Sequence, residues 1–103
     1  MGAKKQRGYL CRMNKAIENM VGENIRRIRT EKKITQDELA AKLQIRGCDI
    51  TRSAVAKIEV GQRHLYPDEI ILIKEILNTT YDSILFVDNI DVILSETANC
   101  NSV

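Results

Sequence analysis

Two helix starts written close together, at Thr35 and at Thr51, constrain this chain more than any other feature of its sequence. Thr35 is followed three residues later by Glu38, the spacing of a capping box. In that device the Thr hydroxyl and the Glu carboxylate each satisfy a backbone N–H that a helix start leaves without an intrahelical partner. Ile34 and Leu39 flank the box as a hydrophobic staple. Thr51 repeats the signal in weaker form: its hydroxyl can cap and Ile50 can pack on Val55, but no Glu stands at the third position. Leu39, Ala40 and Leu43 then share one helical face, and Val55 and Ile58 another. Ile34 to Arg63 therefore reads as two short capped helices joined by a polar turn. The second shows Arg52, Ser53 and Lys57 on its outward side.

Periodicity alone leaves two readings of that face open. The pair could be ordinary amphipathic helices of a small bundle with Arg52 and Lys57 as solvated charges, or a pair built to put its second helix into the major groove of DNA. The order of residue types decides between them. VGENIRRIR at Val21 to Arg29, TQDELAAKL at Thr35 to Leu43, TRSAVAKIEVGQR at Thr51 to Arg63, and PDEI with LNTTYDSIL between Pro67 and Leu85 together resemble the helix-turn-helix domains of the Cro and phage-repressor type, also called the xenobiotic response element (XRE) family. The resemblance covers about two-thirds of the chain. It implies an all-α fold, a compact five-helix lambda-repressor-like domain whose second and third helices form the DNA-binding pair.

The resemblance also implies roles for individual residues. Gln36 matches the family's Gln at the start of the second helix, where its amide and the helix-end N–H groups meet phosphate, an anion favoured by the helix dipole. Thr51, Arg52, Ser53 and Lys57 match the exposed start and middle of the recognition helix. An Arg fork suits guanine O6 and N7 in the major groove, whereas Ser accepts several partners and discriminates less. Arg52 is thus the expected base reader, and its alternative is a phosphate clamp or a solvated charge. Arg29 and Glu59 match an ion pair between the first helix and the end of the recognition helix, a structural pair rather than a DNA contact. Gly61 matches a left-handed helix cap, and Gln62 and Arg63 follow where the family's loop touches phosphate.

The chain departs from the family pattern in the turn. Between Gln44 and Val55 it carries ten residues, Ile45 to Ala54, where about five are expected. Arg46 to Ile50 lengthen the turn, Gly47 permits the bend in place of a glycine at Gln44, and Arg46 reaches either phosphate or solvent. Val60 replaces a commonly polar residue, and Lys74 stands at a commonly small apolar position of the fourth helix.

Length and charge fit one small domain. A chain of 103 residues supports a single core with modest tails. The organisation expected is a basic N-terminal extension over 1–20, the DNA-binding domain over 21–86 and a C-terminal extension over 87–103 that is a candidate self-association segment. The net charge of +2 hides a gradient: residues 1–33 hold ten Lys or Arg against three acids, 34–67 five against four, and 68–103 one against seven. Such polarity orients a protein on a polyanion and predicts salt-sensitive binding. Lys4, Lys5, Arg7, Arg12 and Lys15 are interrupted by no apolar run of membrane-spanning length and no signal-type cleavage site, so a cytoplasmic protein without a membrane partner is expected. This region is either a basic arm along the DNA backbone or a helical extension from about Asn14, since Met13, Ile17, Met20 and Val21 fall at helical spacing.

Catalytic and metal chemistry find no support. Cys11, Cys48 and Cys100 form no C-x-x-C, His64 stands alone, and no nucleophile triad, phosphate-cradling glycine loop or zinc spacing can be assembled. No enzyme activity, metal or cofactor is expected. Pro67 and Asp68 open a fourth helix with Ile70, Ile71, Leu72, Ile73, Ile76 and Leu77, Asn78 ends it, and Thr80 caps a short fifth helix. The following FVDNIDVILSE, Phe86 to Glu96, is either helical or extended, and either core or a self-association surface. The function these features imply is a sequence-specific double-stranded DNA-binding transcriptional regulator, a homodimeric repressor acting by promoter occupancy. The alternatives are an antitoxin that also grips a toxin protein, and a protein-interaction module using Ile71, Leu72 and the C-terminal apolar run.

Overall fold

The computed structural model describes residues 15–88, and within them five helices and no strand. They are α1 (Lys15–Glu31), α2 (Gln36–Ile45), α3 (Arg52–Glu59), α4 (Pro67–Ile76) and α5 (Tyr81–Leu85). The all-α, five-helix fold implied by the sequence is the one observed. Lys4, Lys5, Arg7, Arg12, Cys11, Cys100 and most of the two extensions lie outside the described residues. α1 runs unbroken from Lys15 to Glu31 and so continues through position 20, where the basic extension was expected to meet the domain.

The starts of α2 to α5 follow local chemistry. The Thr35 hydroxyl accepts from the Glu38 N–H at 3.0 Å while the Glu38 carboxylate accepts from the Thr35 N–H at 2.8 Å, which completes the capping box of α2. Thr51 accepts from the Ala54 N–H at 3.1 Å to cap α3, and Thr80 accepts from the Ser83 N–H at 3.0 Å to cap α5. Pro67 opens α4, where its missing N–H removes a donor that would have no helical partner.

The helix ends are equally determined. At the end of each of α1 to α4 the chain reverses through one left-handed residue: Lys33 at φ 60°, Gly47 at 88°, Gly61 at 75° and Asn78 at 51°. Every reversal carries the same two backbone bonds. After α2, for example, Gly47 donates to Gln44 O and Cys48 to Leu43 O, both at 3.0 Å. After α3, Gly61 donates to Ile58 O and Gln62 to Lys57 O. These are Schellman closures, which satisfy the last carbonyls of a helix.

The core lies between these elements. Ile25 and Ile28 of α1, Leu39, Ala40 and Leu43 of α2, Val55 and Ile58 of α3, Ile73 of α4 with Leu77 at its C-terminal cap, and Ile84 of α5 are buried together with Ile50 and Leu65 from the loops. α3 packs on α1 and α2, α4 packs on α2 and α5, and α5 also packs on α1. Gly22 allows a close approach of α1 to α3. A Cβ there would meet the carbonyl oxygens of Ile58 and Glu59, backbone atoms that cannot step aside. The far end is fastened by Asn24, whose side-chain amide donates to Ile84 O at 2.9 Å and Phe86 O at 2.8 Å.

Two substitutions test this packing. Gly22→Ala is expected to destabilise the fold by about 1–3 kcal/mol because α1 and α3 must separate. Lys33→Gly is expected to stabilise it by about 0.5–1 kcal/mol, as relief of left-handed strain exceeds the added unfolded-state entropy. Thermal unfolding of both variants beside the parent chain checks the signs.

Candidate nucleic-acid interface

α3 is an eight-residue helix with two unlike sides. Its inner side carries Val55 and Ile58, both under 5% exposed, and its last residue, Glu59, is 3% exposed. Thr51, Arg52, Ser53 and Lys57 are all exposed on the other side, and Gln62 is exposed just beyond the helix. A rod held this way by its apolar stripe keeps its polar face clear.

Glu59 fixes the angle of that rod. Arg29 donates to it through Nε at 2.7 Å and through Nη2 at 3.0 Å, and Gln36 donates to the same carboxylate through Nε2 at 2.9 Å. The third guanidinium nitrogen of Arg29 donates to Ile34 O at 2.7 Å. A buried carboxylate is costly unless its lone pairs are filled, and here three donors from α1 and α2 fill them. The expected Arg29–Glu59 pair is thus present as a two-point contact. Gln36, expected at phosphate, has its amide nitrogen committed to Glu59 and joins that network.

Other expected contacts meet carboxylates of the protein. Arg63 pairs at two points with Glu69, Nη1 to Oε1 and Nη2 to Oε2 at 3.0 Å each, and donates to His64 O at 3.0 Å. Its side chain is 29% exposed and that of Glu69 only 7%. The hydrogen-bonded Glu69 carboxylate holds the Arg63 guanidinium above its ordinary value. Glu69 also accepts from the Tyr66 N–H at 3.0 Å, so this pair ties the α3–α4 loop to the first turn of α4. Arg46 pairs with Glu75 of α4 at 2.8 Å, with both partners about half exposed. Arg52 lies 3.8 Å from Asp37, a loose pair of two well-exposed side chains.

The lengthened turn is anchored rather than slack. Gly47 supplies its bend, Ile50 is buried, and Gln44 donates through Nε2 to Ile50 O at 2.7 Å. Cys48 is half-buried there, and burial, followed by the Glu69 and Asp68 carboxylates, pushes its thiol up. Lys74, the unexpected cation of α4, lies over the Tyr81 ring at 5.2 Å. His64 has Nδ1 3.1 Å from the Glu18 carboxylate, off the hydrogen-bond axis, and its ring meets Tyr66 edge-on at 5.3 Å.

An open cleft of ≈ 610 Å³ joins the C-terminus of α1 to the starts of α2 and α3. Gln36 and Arg52 line it, and so do Lys33, Thr35 and Asp37, of which Lys33 and Asp37 had no role in the sequence reading. Lys33 was hidden because a left-handed lysine leaves no local signal. Asp37 could have been found as an acid in the first turn of a capped helix, where the dipole favours it.

A family model described as helix-turn-helix matches residues 25–84. The chain belongs to the helix-turn-helix family of the Cro and phage-repressor (XRE) type, a family of double-stranded DNA-binding regulators rather than enzymes. No curated protein and no solved structure matches it. No described helix is long and apolar enough to cross a membrane.

Two outcomes follow from the buried carboxylate and the capping box. Glu59→Ala strands Arg29 and Gln36 and is expected to cost about 3–5 kcal/mol of stability in denaturant titrations. Thr35 bonds, from backbone first and hydroxyl second, hold the Glu38 carboxyl below its ordinary value. The stability it contributes is therefore full above the unfolded-state pKa and lost as pH falls through the folded-state one. Glu38→Gln is expected to lower stability modestly at neutral pH and to leave it nearly unchanged at low pH, so that the acid limb of stability against pH flattens in denaturant titrations.

Proposed function

We propose that this chain is a sequence-specific double-stranded DNA-binding transcriptional regulator that represses by occupying promoter DNA. The observation that carries the reading is the two-sided α3: Arg52, Ser53 and Lys57 stand clear while Val55, Ile58 and Glu59 fix the helix from behind. Arg52 reads a guanine edge, Ser53 and Lys57 complete the base and phosphate contacts of the groove, and Thr51 and Gln62 flank them at the backbone. Arg46, Arg63 and Gln36 reach phosphate only by sharing or releasing their protein partners, so their share of affinity is smaller than that of Lys57 and the loosely paired Arg52. Occupancy needs no cofactor and no metal.

A single helix of this size contacts few bases. Two copies related by a two-fold axis double the site, with half-sites about 34 Å apart, and we assign the working form as a homodimer acting in the cytoplasm. The gradient from a basic front to an acidic back supports one orientation on the duplex.

Selection of bound fragments from a random duplex pool tests the reading by returning site, symmetry and spacing together. On the selected site, Arg52→Ala is expected to cost about 1–3 kcal/mol and to relax preference at one base pair, with little change on random DNA. Equal losses on selected and random duplexes, measured by mobility shift at two salt concentrations, would sink the assignment of Arg52 to base reading.

A further inference from the structure

We infer that Asp37 is a specificity-determining residue, which steadies Arg52 in the pose from which its guanidinium reads a base. The inference rests on the DNA-reading role of α3 proposed above. Asp37 is the second residue of α2, two after the capping Thr35, and Arg52 is the first of α3, directly after the capping Thr51. Both backbones are therefore fixed, and the two side chains meet across the cleft, with Arg52 Nε 3.8 Å from Asp37 Oδ1. The choice of nitrogen matters. A carboxylate at the Nε edge leaves Nη1 and Nη2, the paired end of the fork, free for the two acceptors of a guanine edge.

In the unbound chain the pair is weak. Its side chains are 66% and 75% exposed, and water screens such contacts. Inside a groove the water thins and the same pair tightens, so the carboxylate acts most when Arg52 is at a base. Asp37 also brings a negative charge close to the phosphates, which opposes binding to any duplex irrespective of sequence. The two effects have opposite signs. A carboxylate that served only the helix dipole would produce neither a loss of discrimination nor dependence on Arg52.

The full chain, its Asp37→Asn and Arg52→Ala variants and the double variant are to be titrated by fluorescence anisotropy at two salt concentrations. Three duplexes serve: the selected site, the same site with the pair read by Arg52 exchanged, and random DNA. Asp37→Asn is expected to lower discrimination between the first two by about two- to fivefold, with affinity for random DNA unchanged or higher. In the Arg52→Ala background the same change is expected to leave discrimination where it was. Thermal unfolding confirms that each variant is folded, and Asp37→Glu serves as the conservative partner expected to retain part of the effect. Undiminished discrimination in Asp37→Asn, or one common loss on all three duplexes, overturns the inference while the DNA-reading role stands. A parent chain that enriches no duplex from the random pool overturns that role and this inference with it.

Discussion

The buried carboxylate of Glu59 is the point on which the geometry of this domain depends. A helix of eight residues cannot hold itself in water, because nucleation consumes most of what so few backbone bonds return. Its packed side chains give it a place, and Glu59 gives it a direction. An anion at the last position of a helix lies against the negative end of the dipole. The two-point contact from Arg29 and the third donor from Gln36 offset that cost and join three helices in one network. A hydrophobic residue could fill the space, but it would not fix the crossing of α3 over α1 and α2 by hydrogen-bond direction.

What the sequence made legible was local. Thr35 with Glu38, Thr51, Thr80 and Gly61 announce helix ends because each acts on N–H or C=O groups a few residues away. Gly47 was read as the moved bend of the turn, and its left-handed backbone bears that out. The Arg29–Glu59 pair, by contrast, spans 30 residues and was legible only through resemblance. Long-range partners without such a guide stayed hidden. Nothing in the order of residues says that Arg63 folds back on Glu69 or that Arg46 reaches Glu75, since both depend on where loops return in space. The close approach at Gly22 was invisible for the same reason: its cause is the carbonyl row of another helix.

The lengthened turn shows how a domain can fasten extra residues between two packed helices. Its surplus length is bound at three places: the closure at Gly47 and Cys48, the Gln44 bond to Ile50 O, and the buried Ile50 side chain. Thr51 then restarts the chain as a helix at once. The added segment is part of the frame that holds the start of α3.

The repeated closure at the ends of α1, α2, α3 and α4 has a mechanical consequence. Each joint satisfies its own last carbonyls, so within the described residues fraying one of these helix ends means breaking two paired backbone bonds together.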